Sequence, residues 1–307
     1  MKFIRLSCLL LLCAIHVSGQ QTKKPLTVPN GKISFTWQGD SLHQEWEPHA
    51  AILIPVRLPG CSVTWYMQFD LGAPRSVFYS RTLEAIRNQY PGCAIRTDTT
   101  TQTFSGRFKA GNIDIQATAI PVQTFGNNIL NTARNSINII GTIGADLIDN
   151  KVVMIDYPRT TITLADTVSP AIAITGFSFI QGRVLLPVVL QGKRSVLYFD
   201  TGSSSFELLI DKATWSQLAD STAAPVRYPV KSWNNTMYAN TIATSQHIEV
   251  AGVTLPLNHV TYMEGASSTQ IKQMMQLGIN GMTGNKLFLQ HTLVLDTRNR
   301  KFGLIGK

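Results

Sequence analysis

Residues 52–60 read ILIPVRLPG and residues 184–192 read VLLPVVLQG, and each stretch runs on to an aspartate. Ten residues beyond the first Gly comes Phe69-Asp70-Leu71-Gly72-Ala73, and eight beyond the second comes Phe199-Asp200-Thr201-Gly202-Ser203. Both runs are apolar and β-branched, carry a Pro at the matching place (Pro55, Pro187) and end in a Gly turn. That is the pattern of a buried strand entering a hairpin. Val63–Phe69 and Ser195–Phe199 then read as the strands that deliver the aspartates. Further on, Gly141-Thr142-Ile143-Gly144 leads to a strand ending Met154-Ile155-Asp156, and Gly281-Met282-Thr283-Gly284 to one ending Val294-Leu295-Asp296. A chain that repeats one such unit, with a carboxylate after a buried strand in each copy, predicts two similar lobes whose carboxylates meet at a pseudo-twofold axis.

The rest of the chain fits around those two units. A length of 307 residues, with 44% hydrophobic and 15% charged, describes a globular chain with a large core and room for two lobes. Further strands are expected at Asn112–Thr118, Lys151–Ile155, Thr161–Leu164, His247–Val250, Thr292–Leu295 and Lys301–Ile305, and Lys32–Trp37 alternates as an edge strand does. Two short helices are expected, one capped by Ser80 and carrying Leu83 and Ile86, the other capped by Asp211 and carrying Trp215 and Leu218. No long helical period appears, so the fold class is all-β: a two-lobed double β-barrel with pseudo-twofold symmetry and short helices. The boundaries follow as a lead-in with its edge strand at 20–50, a first lobe at 51–165, a connector at 166–176 containing Pro170 and Gly176, and a second lobe at 177–307.

Residues 1–19 read as a signal peptide, with Lys2 and Arg5 ahead of the apolar Leu6–Val17 and a small-residue site at Val17-Ser18-Gly19. The apolar run is too short for a membrane anchor, so the expectation is a secreted or periplasmic protein. Without Lys2 and Arg5, 25 of the 27 basic residues remain against 18 acidic ones, a net charge of +7. No basic run exceeds Lys23-Lys24, which argues against a nucleic-acid partner. Beyond the leader only Cys61 and Cys93 remain: one disulfide closing a loop of about 30 residues, or two free buried thiols. Cys61 sits in the two-residue excess of the first turn over the second, which favours pairing. His43, His49, His247, His259 and His291 show no metal-ligand spacing, and no phosphate-binding Gly loop occurs, so neither metal nor cofactor is expected.

Asp-x-Gly alone is a common turn, because Asp bonds its own downstream amides. The agreement of so many landmarks in both copies gives Asp70 and Asp200 a different weight. Here the sequence resembles the pepsin-like and retropepsin-like aspartic proteases. Phe199-Asp200-Thr201-Gly202-Ser203-Ser204 is similar to that family's second active-site loop, and Gly281 to Leu289 with Leu293-Val294-Leu295-Asp296 resembles its C-terminal hallmark. Ile139 to Leu147 is similar to the same element of single-lobe relatives, and the resemblance spans roughly residues 50–305. It implies a monomeric endopeptidase that acts on a peptide or protein substrate through Asp70 and Asp200 and an activated water. Gly72, Thr201, Gly202 and Ser203 would support the two loops. In the family two Thr hydroxyls cross between the lobes and a following Ser or Thr hydroxyl bonds the aspartate. This chain has Leu71 and Ala73 in the first loop, so the alternative reading is a catalytically impaired peptide-binding or scaffolding protein of the same fold. For the substrate flap the candidates are Phe104 and Gly106, with Trp233 on the opposite wall; the bland readings are a strand aromatic for Phe104 and a surface loop around Trp233.

Overall fold

The computed structural model describes residues 24–306 other than 43–44, 94, 134–135, 233–234, 266–273 and 275. The leader at 1–19, His43 and Trp233 lie outside the described residues.

Both aspartates are placed by the same local construction. Glu45–Arg57 pairs antiparallel with Trp65–Phe69 (Ile54 opposite Met67), and Arg183–Leu190 pairs with Lys193–Phe199 (Leu186 opposite Leu197). The second hairpin turns on Gln191 and Gly192, both at positive φ (49° and 72°), the twist that a two-residue hairpin requires. Each aspartate-bearing strand then pairs in parallel with a later strand, Trp65–Phe69 with Ile139–Ile143 and Lys193–Phe199 with Gly281–Thr283. On their other side these later strands meet Val77–Tyr79 and Leu209–Ile210. The chain therefore crosses closely over itself, and the repeated glycines mark the crossings. A Cβ at Gly141 or Gly281 would collide with the carbonyl oxygen of Val77 or Leu209, and one at Gly144 or Gly284 with that of Ala73 or Ser203.

The described residues form three sheets. A nine-stranded sheet builds the first lobe and a ten-stranded sheet the second. In the first, Ile113–Gln123 pairs with both Val77–Tyr79 and Thr103–Ala110, so the pairing path returns on itself. In the second lobe the path ends at Val226–Ser232 and Val253–Pro256. Of the double barrel expected from sequence, the structure thus gives two sheet-rich lobes. Between them lies a six-stranded sheet to which both halves of the chain contribute. Val152–Asp156 runs antiparallel to Thr292–Asp296 across its middle, with Met154 opposite Val294. All-apolar burial of Val152, Val153, Leu293, Val294 and Leu295 holds this seam.

Two local expectations change. The helix Ser80–Gln89 starts on Ser80, with Tyr79 as an N-cap whose side chain does not bond the helix amides; the carbonyl of Phe125 takes the Arg81 N–H instead. The helix Lys212–Leu218 is capped by Asp211, as read from sequence, with its carboxylate accepting from Ala213 and Thr214. The edge strand is Gly31–Ser34 rather than Lys32–Trp37, and Thr36–Leu42 forms a separate hairpin with the following strand. Among the described residues no helix is long and apolar enough to cross a membrane.

Candidate active site

Asp70 and Asp200 leave their strands in matching positions. The Asp70 N–H donates to the carbonyl of Ile143 (3.0 Å) and that of Asp200 to Thr283 (2.9 Å). Gly72 N–H donates to Asp70 Oδ1 (2.8 Å) and Gly202 N–H to Asp200 Oδ1 (2.7 Å). The two loops face each other: a Cβ on Gly72 would stand 2.5 Å from Asp200 Oδ1, and one on Gly202 2.6 Å from Asp70 Oδ1. Only glycine permits that approach. The carboxyls lie close enough for each to shift the other's protonation, and they are almost wholly enclosed, at 1% and 0% exposure.

The loops are alike in backbone and unlike in side chains. Ser203 Oγ donates to Asp200 Oδ2 (2.8 Å), whereas Ala73 has nothing to offer and Asp70 Oδ2 is buried with no protein donor among the described residues. Thr201 Oγ1 crosses to the first loop, accepting from Leu71 N–H (2.8 Å) and donating to the carbonyl of Phe69 (2.9 Å). Leu71 gives no such bond in return; its side chain is fully buried in the core. Another hydroxyl crosses instead, as Tyr198 Oη donates to the carbonyls of Gly72 (3.1 Å) and Leu71 (3.3 Å).

Electrostatics separates the pair. Burial first, then the neighbouring Asp200 carboxyl, push Asp70 well above the usual carboxylate range. Burial also raises Asp200, but the Ser203 hydroxyl and the Gly202 amide pull it back. Both carboxyls thus hold protons above the ordinary carboxylate range, and the Ser203 hydroxyl and Gly202 amide make Asp200 the more readily ionised of the two.

Of the residues singled out from sequence, Asp70, Asp200, Gly72, Thr201, Gly202 and Ser203 come together here. Cys61 and Cys93 form a disulfide with Cα atoms 4.6 Å apart, tying the first hairpin turn to the segment after the helix. Phe104 and Gly106 are corrected. Phe104 is turned into the core at 3% exposure, its ring 4.8 Å from that of Phe78. Gly106 lies within the strand Thr103–Ala110, and a Cβ there would meet the Phe104 ring at 3.0 Å. The glycine makes room for that ring. Asp156 and Asp296 are turn residues, accepting from the N–H of Arg159 and Asn299. Among the described residues no three His, Cys, Asp or Glu side chains gather as a metal would need.

Sequence reasoning missed Tyr198 and Asn285. Asn285 Nδ2 donates to the carbonyl of Thr201 (3.1 Å) and to Ser204 Oγ (2.9 Å), while its Oδ1 accepts from Tyr157 Oη (2.8 Å). The signal was present for Asn285, a buried-element polar residue directly after Gly284. For Tyr198 there was none, since Tyr on an apolar strand reads as core.

No protein-family model and no curated protein sequence matches the chain. Among solved structures, an aspartic proteinase from Irpex lacteus is similar in backbone, with a TM-score of 0.51 at 13% identity over 91% of this chain and 98% of that one. The chain has a pepsin-like fold.

Proposed function

We propose that the protein is an aspartic-type endopeptidase that takes an extended peptide or protein segment between its lobes. The observation that carries this reading is the pair of buried carboxyls, one from each lobe, facing each other across two glycines and each held by a glycine amide. Ionised Asp200 takes a proton from a water whose oxygen attacks the scissile carbonyl carbon. Asp70 meanwhile gives its proton to the carbonyl oxygen, producing a tetrahedral diol. The C–N bond then breaks as the nitrogen takes the proton from Asp200, and Asp70 recovers one from a diol hydroxyl. The products are a carboxylic acid and an amine, and the pair ends with its single proton where it began.

In this reading residues 51–165 and 177–307 are the two lobes, joined through 166–176, and the chain works as a monomer. The leader at 1–19 exports it to the periplasm or the medium, where the Cys61–Cys93 disulfide is stable. Two observations favour a second reading, a peptide-binding or scaffolding protein. Asp70 lacks a hydroxyl donor, and both carboxyls are almost wholly enclosed. The test is cleavage of a denatured protein from acidic to neutral pH, with and without an inhibitor carrying a transition-state-mimicking hydroxyl. Cleavage that the inhibitor blocks, and that Asp200→Asn abolishes, supports the peptidase. Inhibitor binding without cleavage supports the binding protein, and activity surviving in both Asp70→Asn and Asp200→Asn rules out the aspartic mechanism.

A further inference from the structure

The glycine that donates to each aspartate from its own loop shares a peptide unit with the residue before it. For Asp200 it is the unit joining Thr201 and Gly202: its N–H donates to Asp200, and its carbonyl oxygen accepts from Asn285 Nδ2. The amide side chain thus fixes the plane and polarises it toward the carboxylate, since hydrogen bonds in series strengthen one another. The repeat places Ala145 where Asn285 stands, each directly after the second glycine of its element. Ala145 has no donor, so the unit joining Leu71 and Gly72 cannot be held from its own lobe in that way. Its carbonyl oxygen accepts instead from Tyr198 Oη, across the lobe contact, and the same hydroxyl reaches the next carbonyl, that of Gly72. Tyr198 is itself held firmly. Its side chain packs among Leu185, Phe206, Leu209 and Met282 in an apolar cluster of the second lobe, at 7% exposure.

We propose that Tyr198 is a positioning residue for Asp70, orienting from the second lobe the peptide plane whose Gly72 N–H donates to that carboxyl, as Asn285 does for Asp200. The pairing explains how the first loop keeps a defined geometry although Leu71 and Ala73 carry no hydroxyl and Ala145 no amide. The effect on catalysis rests on the peptidase reading; the effect on the carboxyl does not.

The test uses the full mature chain with carbon-13 in its aspartate carboxyls, and follows the Asp70–Asp200 pair by NMR titration beside peptide cleavage. Tyr198→Phe removes only the hydroxyl. Loss of the oriented N–H removes a stabiliser of the Asp70 charge, so the upper titration step is expected to move to higher pH. If the chain is a peptidase, kcat falls roughly ten- to hundredfold, KM changes little, and the basic limb of the pH profile moves the same way. Asn285→Ala is expected to move the lower step, that of Asp200, upward instead. Should the Phe variant fail to fold, 3-fluorotyrosine at position 198, a stronger donor, is expected to shift the upper step to lower pH. A folded Phe variant with an unchanged titration overturns the proposal. A wild type that cleaves nothing while the titration still moves in Tyr198→Phe sinks the peptidase reading and keeps this one.

Discussion

Ala73 and Ser203 occupy matching positions, and a methyl against a hydroxymethyl group there separates the two aspartates. Both carboxyls bind a proton more tightly in the folded chain than in the unfolded one. Their contribution to stability is therefore full below the ordinary carboxylate range and is lost as pH rises through the raised values. Asp98, Asp166, Asp211 and Glu264 are held low by hydrogen bonds and ion pairs and work in the opposite sense. The informative quantity is thus the difference between wild type and a variant. Ala73→Ser gives the buried Oδ2 of Asp70 a donor, as Ser203 does for Asp200. We expect the gain, roughly 1–3 kcal/mol, to appear as pH rises through the raised range in which Asp70 ionises, and to be smallest at pH 3, where the carboxyl is neutral in both proteins. Thermal melts of both proteins across pH 3–8 check this; a constant difference over that range would mean the serine acts through packing alone.

At the scale of elements, the first aspartate loop is enclosed by a covalent brace that the second lacks. Cys61 lies in the hairpin turn and Cys93 beyond the helix, 32 residues apart, so the segment they close contains Asp70, the strand Val77–Tyr79 and the helix. The second lobe has a tight two-residue turn at Gln191-Gly192 and a shorter helix with a good cap. The longer first turn has more freedom to lose, and the disulfide removes it from the unfolded chain. Replacing both cysteines by Ala should lower the unfolding free energy by about 2–4 kcal/mol. Urea unfolding followed by Trp fluorescence measures it; an unchanged midpoint would show that packing of Cys93 and its neighbours suffices.

The whole molecule is held together by more than its shared sheet. Lys286 Nζ lies 2.7 Å from Glu47 Oε2, Ser204 Oγ donates to the carbonyl of His49, and Trp37 stacks on Tyr157, whose hydroxyl reaches Asn285. These contacts pin the hairpin that begins at Thr36 to the second active-site loop. From the same hairpin Leu42 packs on the cluster that contains Tyr198. Opening the enclosed aspartates therefore strains this bridge. Glu47→Gln replaces the ion pair with an amide facing an ammonium, and Lys286 is part-exposed, so a loss of about 1–2 kcal/mol is expected rather than the full cost of a buried pair. Hydrogen exchange should quicken in residues 201–204 while the strands Val152–Asp156 and Thr292–Asp296 keep their protection. Uniform quickening across both regions would indicate general destabilisation instead of a looser bridge.

The features legible in the sequence are those that repeat or act locally. The paired strands, Phe69-Asp70 and Phe199-Asp200, the glycines at 141, 144, 281 and 284, and the Asp211 cap each depend on a few neighbouring residues, so composition and period reveal them. A repeat also implies a rotation axis, which is why the meeting of the two aspartates was foreseeable. It says nothing about what crosses the axis. Tyr198 and Gly72 are 126 residues apart and occupy different places in their copies, as do Tyr157 and Asn285. Phe104 shows the same limit within one lobe, because strand alternation permits either face and only the position of Phe78 decides that it turns inward. The six-stranded sheet likewise depends on which edges the two lobes leave unpaired. Backbone hydrogen bonds carry no side-chain code for their partner, so packing of the assembled lobes, rather than local pattern, decides it.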